Sequence, residues 1–181
     1  MRCALPGQDD ESVFRFYRKL LLALTMNKLS LVPDESEIRV PDGLEKFSEH
    51  EISGPEDLES IKSDVDGRLR GMKVDESKVF DVVVSVSEAV SNVLKHADRG
   101  VFRGYASNDL CFVVVSDCGA GMRLNEIPLS VQKGRSSKDS LGMGFSIMLE
   151  LADLLYLCTG SDGTVLGLSI SLKRGACEGL V

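Results

Sequence analysis

Val79-Phe-Asp-Val-Val-Val-Ser-Val-Ser-Glu88-Ala-Val-Ser-Asn92-Val-Leu-Lys-His96-Ala97 admits two readings, and the choice between them decides the fold. Its first part, Phe80–Ser87, alternates and is rich in β-branched valine, as a strand would be. The longer series Val79, Val83, Val86, Val90, Val93 and Ala97 keeps helical period for about five turns, and length favours the helix. Asp75 just ahead supplies an N-cap carboxylate for the orphan amides of a first turn. Read as a helix, the segment stacks Glu88 and Asn92 on one face, four residues apart. Ser85 and Asp81 are expected on that polar face, opposite the valines.

Working outward, apolar and polar runs alternate. Before this helix, Pro55 opens another, over Glu56–Leu69, with Leu58, Ile61, Val65 and Leu69 in register and Gly71 ending it. A short strand is expected near Phe47–Ser53. After the central helix come two strands, Val101–Ala106 and Leu110–Ser116, joined by the turn Ser107-Asn-Asp109. A polar loop is expected from Met122 to Leu141, then a helix over Phe145–Leu154. Two last strands, Leu155–Thr159 and Thr164–Leu172, flank Gly160-Ser-Asp-Gly163. The sum is an α+β fold: a two-layer α/β sandwich with a mixed, mainly antiparallel sheet and helices on one face. The domain is expected to span residues 46–181. Residues 1–45 form an N-terminal extension, with an amphipathic helix (Val13, Phe14, Tyr17, Leu20, Leu21 and Leu24 on one face) and a proline-rich acidic linker. That face either docks on the domain or meets a partner or second copy.

Composition excludes several functions. The chain has 181 residues, 43% apolar and 27% charged, an ordinary globular balance. A net charge of -7 and the lack of a basic run argue against nucleic acid as a partner. The longest apolar stretch falls far short of the ~20 residues that span a bilayer, and Asp9, Asp10 and Glu11 stand where a signal peptide would be basic. Five cysteines without a C-x-x-C pair, and two histidines, disfavour structural zinc. Cys111 and Cys158 sit in apolar runs and are expected as reduced core residues, which points to the cytoplasm.

The chemistry lies in three short boxes. A side-chain amide such as Asn92 can hold hydrated Mg²⁺, and a neighbouring carboxylate such as Glu88 can take a proton from an attacking hydroxyl. Asp117, at the end of the apolar run Leu110–Ser116, precedes the turn Gly119-Ala-Gly121. A carboxylate there can accept from the exocyclic amine of adenine, while the glycines let backbone approach a ligand closely. Gly142-Met143-Gly144 leads into Phe145 and a helix, whose first amides and dipole suit an anion. Each box alone has a bland explanation: a solvated helix face, an ordinary Asp-Gly turn, a glycine-rich helix start. The dinucleotide fingerprint fails because Leu124-Asn-Glu-Ile-Pro128 follows the second box, and no G-x-x-x-x-G-K-[ST] is present. Arg123, Lys133, Arg135 and Lys138 cluster before the third box, either to close over phosphates or as solvated loop cations. His50-Glu51 faintly echoes a phosphoacceptor box but reads as an exposed strand position.

In this order the boxes resemble those of the Bergerat-fold ATPases, the superfamily that includes gyrase B and the sensor histidine kinases. The short loop between the glycine boxes, and Asn92 followed by His96-Ala97, are most similar to the anti-sigma-factor serine kinases of bacterial partner-switching systems. The resemblance covers about Phe47 to Lys173. It departs at Asp98, where the family often has an aromatic. It implies ATP and Mg²⁺ as cofactors, Glu88 as general base and Asn92 as the Mg²⁺ ligand. It implies Asp117 as adenine reader, with Gly119, Gly121 and Met122 shaping its pocket, Gly142, Met143, Gly144 and Phe145 at the phosphates, and Thr164 assisting adenine recognition. His96 matches a family position without an expected catalytic role. The implied activity is a serine/threonine protein kinase acting on a small STAS-type anti-sigma-factor antagonist. A sigma factor is a possible second partner, and a homodimer the expected assembly. The alternatives are a non-catalytic, nucleotide-dependent module that sequesters a regulator, or an ATP-hydrolysing switch.

Overall fold

The computed structural model of the chain describes residues 7–131 and 141–173, with backbone alone at 7–10 and 141–143. Helix α1 (Gly7–Leu24) is followed by strand β1 (Leu29–Leu31), a 3-10 turn (Glu35–Glu37) and strand β2 (Glu45–Ile52). Helices α2 (Pro55–Gly71) and α3 (Glu76–His96) come next, then β3 (Gly100–Ala106), β4 (Leu110–Asp117), the single turn α4 (Ile127–Ser130), α5 (Leu141–Leu151), β5 (Leu154–Gly160) and β6 (Gly163–Ser171). The ambiguous valine-rich segment is helical along its whole length. Asp75 caps it by accepting from the Ser77 amide, and Pro55 stands in the first turn of α2 as expected.

The strands form one sheet in the order β1-β5-β6-β4-β3-β2, antiparallel except where β1 runs parallel to β5. Alternation along each strand sorts side chains between two faces. Val113 and Val115 of β4, Leu155 and Leu157 of β5, and Leu166, Leu168 and Ile170 of β6 join the main core under the helices. α3 supplies Val79, Val82, Val86, Ala89, Val90 and Val93 to that core, and α2 supplies Ile61, Val65 and Leu69. Each fully buried valine, leucine or isoleucine among them contributes roughly 1.5–3 kcal/mol over leaving it in water. The opposite face carries a small cluster, Cys158 and Val165 with Val114 and Tyr156, covered by Val32 and Ile38. The helices therefore share one face, as the sequence indicated.

Several expectations need correcting. Residues from Leu31 onward read as linker, yet Leu29–Leu31 is an edge strand and the following segment covers the far face of the sheet. The face expected on α1 is split: Phe14 and Leu21 are in the core, whereas Val13 and Leu24 are each 44% exposed; Phe16, outside that face, is 60% exposed. Ser85 is fully buried, donating its hydroxyl to the Asp81 carbonyl, and does not belong to a solvated face. The Met122–Leu141 loop contains α4. α5 starts at Leu141 and stops at Leu151, and Leu154 already belongs to β5. His50 is only partly exposed and pairs with Asp64 of α2 at 2.7 Å, which holds that carboxyl below its ordinary value. Among the described residues no helix is long and apolar enough to cross a membrane.

Cys111 and Cys158 are buried as expected, and burial pushes the Cys111 thiol up to about 12, whereas Cys118 is exposed. A thiolate-directed reagent is expected to modify Cys118 in the folded protein and to reach Cys111 and Cys158 only after unfolding. Peptide mass spectrometry at increasing denaturant checks this. Early modification of Cys111 would contradict the packing described here.

Candidate nucleotide site

The same alternation that builds the core builds a polar floor at one end of the sheet. Asp117 closes β4 on the helix-facing side, in phase with Val113 and Val115. Thr159 of β5 and Thr164 of β6 are register partners and fall on that side too, in phase with Leu157 and Leu166. Asn92 and His96, one turn apart near the C-terminus of α3, overhang them. Together with Ala89, Ala120, Gly121, Met122, Glu126, Phe145 and Leu166 these residues, Thr159 excepted, line a cavity of about 210 Å³.

Asp117 is held in place by backbone. Its Oδ1 accepts from the Gly119 amide at 2.8 Å and the Thr164 amide at 3.2 Å. Among the described residues Oδ2 accepts no hydrogen bond and is left for a donor in the cavity. Burial raises the Asp117 carboxyl above its ordinary value, partly offset by those two amides and by His96. A second link runs from the Met122 amide to the Thr159 hydroxyl at 2.8 Å, which shares a hydrogen bond of 3.1 Å with the Thr164 hydroxyl. The turn after β4 is thus tied to the β5–β6 hairpin by side chains from both strands.

The glycines of that turn are required by space. A Cβ on Gly119 would lie 2.6 Å from the His96 carbonyl oxygen. Gly121 has φ +65, and its Cβ would run into the carbonyl of Gly160. Gly144 lies within the first turns of α5, where a Cβ would stand 2.8 Å from Glu88 Oε2 and 3.7 Å from Asn92 Nδ2. Glu88, Asn92 and the start of α5 therefore converge, although Glu88 stands beside the cavity and does not line it. Gly142 and Met143 belong to the same first turn of α5. Lys133, Arg135 and Lys138 lie outside the described residues. Arg123 is exposed, with its amide donating to Glu126.

The structure thus brings together Glu88, Asn92, Asp117, Gly119, Gly121, Met122, Gly144, Phe145 and Thr164 of the expected set. Sequence reasoning missed Thr159 and Glu126. A lone threonine inside a strand has no sequence signature, and only the strand register reveals it opposite Thr164. Glu126 was one acid among many, in a loop with no period.

A purine base with an exocyclic amine fits this floor. A bonded carboxylate offers a free oxygen, threonine hydroxyls lie beside it, and the glycine at 121 leaves no side chain in the way. Among the described residues no three His, Cys, Asp or Glu side chains converge on a metal position. Mg²⁺ commonly takes one or two protein ligands and completes its shell with water and phosphate oxygens. A single amide at Asn92 fits a cation that arrives with a nucleotide.

If Asp117 reads a base amine, Asp117→Asn places a donor against a donor. Nucleotide affinity is then expected to fall about 10–100-fold, the range for losing a hydrogen bond to a charged group. Only the ionised carboxylate accepts through both oxygens, and its raised value means protonation sets in at higher pH than for an ordinary aspartate. Affinity is therefore expected to decline on acidification from above the usual carboxylate range, and Asp117→Asn to flatten that decline. Calorimetric titrations across pH test both points. An Asn variant that binds like wild type would remove Asp117 from base recognition.

The histidine kinase-like ATPase domain family matches residues 53–170 of the chain. No curated protein sequence matches it. Among solved structures, it is similar to the histidine kinase domain of the blue-light activated histidine kinase from Erythrobacter litoralis EL346. That likeness has a TM-score of 0.42 at 16% identity, covering 87% of this chain and 74% of that one.

Proposed function

Since this chain belongs to the histidine kinase-like ATPase family, an ATP-binding family, we propose that it is a serine/threonine protein kinase acting from Mg-ATP on a small regulatory protein of the STAS antagonist type. The observation that carries this reading is Glu88. Its carboxylate lies beside Gly144 in the first turns of α5, one helical turn before Asn92 on α3, and among the described residues it makes no hydrogen bond. A module that only binds nucleotide has no use for an unengaged carboxylate there.

Bound ATP supplies the transferable phosphoryl group, and its Mg²⁺ neutralises the charge on the phosphates. The chain supplies placement and a base. Asp117, Thr164 and the Met122–Thr159 link fix the adenine end, Asn92 holds the cation, and the first amides of α5 face the phosphates. Glu88 accepts the proton of an incoming serine hydroxyl, leaving the oxygen to attack in line. The exposed side chains of Val13, Phe16 and Leu24 on α1 give a partner an apolar foothold, in keeping with a sigma factor or a second copy.

The test is transfer of labelled phosphate from Mg-ATP to a STAS-domain protein encoded beside the kinase. Label on a serine or threonine supports the reading. ATP binding with no transfer to any candidate would favour the non-catalytic sequestering module, and phosphate release without a protein acceptor would favour an ATP-hydrolysing switch.

A further inference from the structure

Lys28 lies between α1 and β1, far in sequence from every box of the site. Its ammonium donates to the carbonyls of Leu149 at 2.9 Å, Ala152 at 3.0 Å and Glu150 at 3.4 Å. Leu149 and Glu150 belong to the last turn of α5 and Ala152 follows it, so the ammonium sits at the carbonyl end of that helix. A cation at that position also complements the negative end of the helix dipole. Lys28 is held there by its own surroundings. Its carbonyl accepts from the Leu155 amide at 2.7 Å, the Thr25 hydroxyl accepts from the Leu29 amide at 3.0 Å, and Leu29 and Leu31 pair with β5.

α5 is only 11 residues long, too short to be stable by itself in water. Its opposite end carries Gly144 against Glu88 and Phe145 in the nucleotide cavity. We infer that Lys28 is a positioning residue for nucleotide binding. By tying down the last turn of α5, it keeps ordered the first turns of the same helix, which receive the phosphates, so that affinity depends on the docking of residues 7–31. This rests on the nucleotide reading proposed above. A ligand that needs the ordered helix binds with its intrinsic dissociation constant divided by the ordered fraction. If loss of the three bonds drops that fraction to about one fifth, affinity weakens about fivefold.

The inference also runs in reverse, because coupling between two sites is reciprocal. Saturating nucleotide must favour docking of β1 by the same factor, roughly fivefold in the protection of its amides.

The experiment compares the full chain with Lys28→Met, Lys28→Arg and Ile61→Val by calorimetric titration with a non-hydrolysable Mg-ATP analogue and by thermal melting. Ile61 is fully buried in α2 and serves as a destabilised control. Lys28→Met is expected to raise Kd about fivefold, Lys28→Arg to restore it to within about twofold, and Ile61→Val to lower Tm with Kd unchanged. A Lys28→Met protein that melts earlier but binds like wild type gives Lys28 a purely structural role and overturns the inference. Should Lys28→Met not fold, hydrogen exchange on the wild-type chain decides. Slower exchange at Ser30 and Val32, whose amides face β5 in the parallel register, on adding the analogue supports the coupling, and unchanged exchange there overturns it. No binding by the wild-type chain would remove the nucleotide reading and this inference with it, whereas wild-type binding with an unaffected Lys28→Met removes the inference alone.

Discussion

Glu88→Gln is expected to slow phosphate transfer to the substrate hydroxyl by about 10²–10⁴-fold, the usual contribution of a positioned general base. Mg-ATP affinity should change by less than about threefold, because Glu88 stands beside the cavity rather than in its wall. The amide keeps the shape of the side chain against Gly144 and Asn92 but cannot take the proton. Glu88→Ala is less clean, since it opens space beside Gly144, next to which a side-chain oxygen now stands. Single-turnover transfer from labelled ATP, paired with calorimetry on the same preparations, separates the two effects. Transfer by Glu88→Gln at the wild-type rate would falsify the assignment of the base.

Gly121→Ala carries the largest expected structural effect, for two separable reasons. The left-handed conformation at φ +65 costs an L side chain roughly 1–2 kcal/mol. The added Cβ then meets the Gly160 carbonyl, a backbone atom that cannot swing aside, and pushes the turn after β4 away from the β5–β6 hairpin. That movement pulls at the Met122–Thr159 and Thr164–Asp117 bonds, which shape the floor of the cavity. Stability is expected to fall by about 2–4 kcal/mol and nucleotide affinity by about 100-fold or more. Gly43 gives an internal comparison. It has φ +80 but nothing within 4 Å of a Cβ, so Gly43→Ala should cost only the conformational part and leave binding alone. Equal losses in the two variants would show that the contact with Gly160 is not what demands glycine.

The parts of the fold legible in the sequence were those with a long period. α3 was readable through its β-branched run because the apolar series persists well past the length of a strand. α2 was readable from Pro55 and its four register positions. Short elements were not. β1 has three residues, and its partner β5 lies more than a hundred positions away, so nothing local distinguishes it from the linker around it. The glycines at 142 and 144 suggested a loop, yet both are inside α5, where a Cβ at 144 would stand 2.8 Å from the end of the Glu88 side chain. Ser85 looked like a surface residue because serine is polar; a bond to its own helix backbone lets it be buried. At the cavity, Asn92, Asp117, Gly121, Met122, Phe145 and Thr164 were legible because each sits in or beside a short box, and all of them line its wall. Thr159 and Glu126 were lost because they act through strand register and loop position.

The order β1-β5 has a consequence for how the protein is made. Strand β1 leaves the ribosome more than a hundred residues ahead of β5, the strand on which it pairs. Until then Leu29 and Leu31, both destined for burial, have no place to go, and the nascent chain must carry an apolar helix and strand exposed to other chains. Closing so long a loop is slow, so the docking of residues 7–31 should follow the synthesis of β5 as a late event in folding. Proteolysis or truncation that removes them would leave β5 as a bare sheet edge, open to pairing with a neighbouring molecule.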